Sequence, residues 1–191
     1  MNISELQVGD IIIKDSSKSG AKVVKFLMTA PTIWHHIYRA ITKTQEEVKY
    51  YHPAMVFSED QIIEQQFKVQ TDNLEDALGG SNRLLVVRRI GATQDQLNTL
   101  KIVSEDDLGQ KYGIIQTLFG KFPTWLTGIP YFARYVKLPN NEICVTRVAR
   151  WYYEVFGETF GSKKYTEITT HTMVKYILTH PEKYAILDMK G

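Results

Sequence analysis

The stretch "HPAMVFSEDQIIEQ", His52 to Gln65, decides how this chain folds. Two strand-like runs, "HPAMVF" and "QIIEQQFKV", flank the polar triplet "SED", and a three-residue connection of that kind predicts a β-hairpin. If Ser58, Glu59 and Asp60 form the loop, Phe57 pairs with Gln61 and Ala54 falls opposite Glu64. His52 and Glu64 then share one face as diagonal neighbours, roughly 7–8 Å apart at the backbone and within side-chain reach. A slip of one residue sends them to opposite faces. The register therefore decides whether an imidazole meets a carboxylate able to fix its tautomer.

The remaining 177 or so positions, an approximate count, must supply whatever those two groups act with. At 191 residues the chain suits one domain spanning 1–191, with a sizeable core. The mix of 43% hydrophobic and 23% charged residues is that of an ordinary folded protein, without the bias of disorder, collagen or repeats. A net charge of +2, from 23 basic and 21 acidic residues, sets up no broad field for nucleic acid, so no nucleic-acid partner is expected. The N-terminal "MNISELQVGD" lacks a basic start followed by an apolar core, which makes the cytoplasm the default location. The most apolar region, Gly113 to Val136, is interrupted by Lys121, Pro123, Pro130 and Arg134, so no integral membrane segment is expected and the region reads as core and cleft wall.

Around the hairpin, "LQVGDIIIKD" reads as a turn at Gly9 and Asp10 opening a buried strand, and "RLLVVRRI" (Arg83 to Ile90) as another strand after the turn signal "GGSN". Positions 17–49 read as helical or irregular, and "ATQDQLNTLKIVSEDDL" as a polar-faced helix. "PNNEICVTRVARWYYEVFG" carries Ile143, Val145, Val148, Ala149, Tyr152 and Val155 along one helical stripe and stops at Gly157. The C-terminal "THTMVKYILTHPEKYAIL" predicts a short helix, a break at Pro181 and a last strand.

Cys144, the single cysteine, excludes an internal disulfide and any multi-cysteine zinc cluster, leaving core packing or nucleophilic chemistry. A cysteine attacks a carbonyl as its thiolate, and a helix start favours that anion through unpaired N–H groups and the macrodipole. Cys144 sits in the first turn of its expected helix, with Asn140 or Asn141 available as cap. His52 can hold and return the proton, and Glu64 can orient the ring. Taken singly, each residue has an ordinary explanation: a small core cysteine, a satisfied strand-end histidine, a solvated glutamate. Their combination says more.

"GDIII", "HPAMVFSEDQIIEQ", "LLVVRRI", "GQKYGIIQTLFG" and "EICVTRVARWYYEVFG" resemble, in that order, the circularly permuted NlpC/P60 papain-like cysteine hydrolases, the YiiX-like group. The related lecithin:retinol acyltransferase-like proteins share the permuted order. The family has a Gly-Asp pair before the first strand, a catalytic His opening a strand, a polar residue twelve positions later and a nucleophilic Cys far downstream on a helix. Gly9 and Asp10, His52, Glu64 and Cys144 match these places. Tyr112 matches the tyrosine of the family's Gly-x-x-Tyr-Asp element, as an oxyanion or substrate contact. This chain has Val145, Thr146 and Arg147 where the family often has Ser-Glu-Leu, Gly113 in place of the Asp, and Pro53 after the histidine.

The resemblance implies an α+β fold, a permuted papain-like domain whose antiparallel sheet packs against helices with the nucleophile at a helix N-terminus. It also implies a cysteine peptidase or amidase working through a thioester, with cell-wall peptides or related amides as substrates and an acyl lipid as the alternative. A catalytically silent binding module is the reading from outside the enzyme class. No cofactor is required. A competing pair, Cys144 with His171 in "TTHTM", follows the unpermuted order but places its histidine at a helix start. His35 and His36 point to opposite sides of any regular element and lack ligand-spaced neighbours, so no metal site is expected. Oligomeric state is left open.

Overall fold

The structure is a computed structural model and describes residues 3–14, 52–66, 68–79, 84–111 and 144–190. The readings on positions 17–49, "GGSN", Tyr112, the apolar 113–136 region, Asn140 and Asn141 fall wholly or largely outside that set.

Six strands form one antiparallel sheet: β1 (Ile11–Lys14), β2 (His52–Val56), β3 (Gln61–Gln65), β4 (Val69–Asn73), β5 (Leu84–Arg89) and β6 (Tyr184–Lys190). Their order across the sheet is β4-β3-β2-β1-β5-β6, so β1 lies in the interior between β2 and β5. The helices are α1 (Leu74–Gly79), α2 (Gln94–Glu105), α3 (Cys144–Phe156) and α4 (Thr170–Thr179). The fold is α+β.

Strand alternation divides the apolar side chains between two faces. Ile11, Ile13, Met55, Ile63, Leu85 and Val87 meet Val145, Val148, Ala149 and Tyr152 of α3. Ile12, Ala54, Val56, Ile62, Leu84 and Val86 pack on the opposite face with Leu74, Ala77 and Leu78 of α1. Each fully buried Ile, Leu or Val contributes about 1.5–3 kcal/mol, so both faces are worth covering and the central strands read as continuous apolar runs. The stripe on α3 accounts for its packing, and Gly157, at φ +65°, ends the helix by donating its N–H to the Tyr153 carbonyl. Thr93 and Gln96 close a reciprocal capping box at the start of α2.

The run "QIIEQQFKV" is not one strand. It breaks after Gln65, and Val69 begins β4, which folds back on β3 with Glu64 opposite Gln70. Apolar alternation resumes after the break and so conceals the turn from a reading of periodicity.

The Gly9-Asp10 pair fastens one end of β1. Gly9 has φ +90°, a conformation that favours glycine, and a Cβ there would crowd the Leu100 and Leu97 side chains at 3.0 and 3.1 Å. Its carbonyl accepts the Tyr152 hydroxyl. Asp10 is fully buried, accepts the Gln7 N–H at 2.9 Å, and takes a two-pronged hydrogen bond from Arg88 at 2.9 and 2.7 Å. A second buried carboxylate, Asp107, accepts from Arg147, Arg150 and the Trp151 indole, tying the segment after α2 to α3.

Candidate functional site

The site is built at the other end of β1, from the registers of three strands. Lys14 is directly opposite His52, and Ala54 is opposite Glu64, with Phe57 donating its N–H to the Gln61 carbonyl across the turn. This is the even register that the "SED" loop requires. His52 and Glu64 accordingly share a face, and His52 Nε2 lies 3.1 Å from Glu64 Oε2.

Cys144 opens α3 and is 8% exposed. Its helix packs on the face opposite to that of Ala54, yet thiol and ring meet because each begins its element: His52 is the first residue of β2 and stands at the sheet's end. The ring lies near enough to Cys144 for the thiol to act on its proton, by charge and by side-chain hydrogen bonding. With Nε2 engaged by Glu64, Nδ1 is the nitrogen left for it.

The electrostatics follow from this placement. Burial disfavours an imidazolium, but the negative charge of a Cys144 thiolate and its hydrogen bond, then the Glu64 carboxylate, outweigh that and raise His52 to about 10. Burial likewise disfavours the Glu64 anion, and its hydrogen bond and ion pair with His52, followed by Lys14, overcome it and hold the carboxyl well below the usual range.

Three residues complete the surroundings of Glu64, itself only 1% exposed. Lys14 Nζ lies 2.7 Å from Oε2, the oxygen that also serves His52. Gln66 donates to Oε1 and, at 3.3 Å, to Asp72 Oδ2. Asp72 is held by Gln70 at 3.0 Å, and its carboxyl is pushed up, first by burial and also by the neighbouring Glu64 charge, with Gln70 opposing. Sequence reasoning missed all three. The pairing of β1 with β2 that brings Lys14 to His52 joins distant parts of the chain, and Asp72 arrives only through the hidden β3–β4 turn.

Of the residues singled out from sequence, His52, Glu64 and Cys144 come together, and Tyr112 lies outside the described residues. His171 is in the first turn of α4, as expected, and the imidazole that meets Cys144 is that of His52. His35 and His36 lie outside the described residues. Among the described residues no group of three or more His, Cys, Asp and Glu side chains is arranged to hold a metal ion, and no helix is long and apolar enough to cross a membrane.

No known family profile matches the chain, and no curated protein matches it. Among solved structures it is similar to the metalloprotein yiiX from Escherichia coli O157:H7, at 18% identity and a TM-score of 0.49, over 82% of this chain and 69% of that one. At that distance the likeness carries no statement about chemistry, and the functional reading rests on the site.

Proposed function

We propose that the chain is a cysteine hydrolase of amide bonds, built as a permuted NlpC/P60-like, YiiX-like papain-fold domain. Cys144 is the nucleophile, His52 carries the proton and Glu64 orients the ring. The observation that carries this reading is the single imidazole engaged on one side by a buried carboxylate, at 3.1 Å, and on the other by the chain's single thiol.

In this mechanism the reacting pair is a thiolate beside an imidazolium, each charge favouring the other. Sγ attacks the carbonyl carbon, and the charge that develops on oxygen is met by backbone N–H groups at the start of α3. Collapse breaks the C–N bond, His52 passes its proton to the departing amine, and a thioester remains on Cys144. Water attacks the thioester, His52 takes its proton, and the acid leaves. Glu64 stays ionised throughout and holds Nε2 as the protonated nitrogen. The resemblance points to cell-wall peptides as substrates and gives Tyr112 a place near the reacting oxygen.

The test is covalent capture. Incubated with p-nitrophenyl acetate, the wild-type chain should gain one acetyl group by intact mass, Cys144→Ala should gain none, and His52→Ala should acylate about a hundredfold more slowly. Equal acylation of wild type and Cys144→Ala contradicts the reading. Peptidoglycan stem peptides against N-acyl lipids, with product masses, then separate amidase from lipid acyl hydrolase or acyl transferase. One observation favours a second reading: Cys144 is nearly buried and followed by the fully buried Arg147, as in a binding module that kept the fold without the reaction. A thiol that no acyl donor modifies would support that module.

A further inference from the structure

The proposed reaction assigns no task to Lys14, yet its ammonium makes the shorter of the two bonds to Glu64 Oε2: 2.7 Å, against 3.1 Å for His52. Both donors are largely withdrawn from water, with Lys14 14% and His52 16% exposed, so neither interaction is the screened surface kind. We propose that Lys14 is a positioning residue that shares the orienting carboxylate with His52 and thereby limits how strongly Glu64 retains the proton of the imidazolium. The catalytic meaning rests on the hydrolase reading above, whereas the effect on His52 is independent of turnover.

The argument is one of competition at a single oxygen. A carboxylate facing only His52 would hold the imidazolium with its full charge, and a ring held that firmly is a poor acid toward the departing amine. A general acid works best when its affinity for the proton is close to what the working pH demands. An ammonium on the same oxygen draws on the same charge and repels the imidazolium beside it, and both effects ease release of the proton. The cross-strand pairing of Lys14 with His52 explains why the ammonium reaches this oxygen at all.

Among the described residues the groups facing this carboxylate are Lys14 from β1, His52 from β2, Gln66 beyond the end of β3 and Asp72 from β4, with Cys144 of α3 reached through the ring. Asp72 lies across the Gln66 amide, and its carboxyl is pushed up by burial and by the Glu64 charge, with Gln70 and Lys14 opposing. Lys14 is the described cation on Glu64 that does not give up its proton in the reaction.

The test reads the proton on His52 directly. In full-length protein carrying labelled histidine, the His52 resonance is assigned by its loss in His52→Gln and titrated by NMR. Lys14→Met should move its midpoint upward by roughly one pH unit, and Lys14→Arg, which keeps the charge, should stay close to wild type. In a Glu64→Gln background, Lys14→Met should produce less than about half that shift, because the shared charge has gone and only direct repulsion remains. Lys14→Gln serves if Lys14→Met does not fold. A midpoint within about 0.2 unit of wild type in folded Lys14→Met or Lys14→Gln, or an equal shift in both backgrounds, overturns the proposal. Acetylation of Cys144, followed in the same samples, separates the two ideas. A reactive thiol with an indifferent His52 midpoint removes only the role of Lys14, and an inert thiol with a responsive midpoint removes only the hydrolase.

Discussion

The two ends of β1 both carry a buried carboxylate against a cation, and the choice of cation sets them apart. At one end Asp10 is gripped by Arg88, whose guanidinium does not titrate in the working range and whose forked geometry suits a fixed joint. About four residues away, roughly 13 Å along the strand, Glu64 faces His52 and Lys14, and the imidazole in turn faces a thiol. Asp107, with Arg147 and Arg150, repeats the first kind. A carboxylate closed off by arginine fastens the fold, whereas one that ends on a titratable ring leaves a proton that can move. On the proposed reading the same class of interaction serves architecture at one end and chemistry at the other.

Substitutions should separate the two kinds, with the largest losses of stability among the fasteners. Asp107→Ala removes the carboxylate that accepts from the fully buried Arg147, which keeps Gln110 Oε1, and from the Trp151 N–H, and should cost about 3–5 kcal/mol in urea unfolding. A loss below about 1 kcal/mol would show that the cluster does not fasten α3. Asp10→Ala should cost about 2–3 kcal/mol, less because Arg88 is 27% exposed and can rehydrate. Cys144 should be alkylated at close to the wild-type rate in the folded fraction of Asp10→Ala, and a large change in that rate would erase the distinction between the two ends. Glu64→Gln should cost only about 1–2 kcal/mol but slow Cys144 alkylation at pH 6 about tenfold, the reverse balance.

The smallest effect is one of pH. His52 is raised in the folded chain, so its contribution is complete below the unfolded value of 6.5 and fades as pH climbs toward about 10. Glu64 is depressed, so its contribution is present above its ordinary value of 4.5 and is lost on acidification. The site should therefore stabilise the fold most between about pH 4.5 and 6.5. Between pH 6.5 and 7.5 wild type should lose on the order of 1 kcal/mol relative to His52→Gln. Parallel stability curves for the two proteins would contradict the imidazolium.

The architecture was legible wherever a local signal named a register or an end. The "SED" loop set Ala54 opposite Glu64, and Gly157 marked the end of α3. Gly9 and Asp10 matched a family position, but only the packing of Leu100 and the grip of Arg88 show their structural work. The break after Gln65 was hidden because apolar residues resume at Phe67 and Val69 without Gly, Pro or Asn between. Lys14, Gln66 and Asp72 were missed for a related reason. Lys14 and Asp72 meet Glu64 through strand pairings, which no spacing within a single element encodes, and Gln66 follows Glu64 by two positions just past the end of β3. The approach of His52, Glu64 and Cys144 to one another was legible because two of them share a hairpin and the third is the chain's only cysteine.

The central claim is that Cys144 and His52 rest as a thiolate and an imidazolium, and the pH dependence of alkylation tests it most directly. With one cysteine in the chain, iodoacetamide labelling followed by intact mass reports on Cys144 alone. The account predicts rapid labelling at pH 6 in wild type and labelling about a hundredfold slower in His52→Ala, whose rate should recover only as pH approaches the free-cysteine value of about 8.5. Identical profiles for the two proteins, both slow at pH 6, would contradict it.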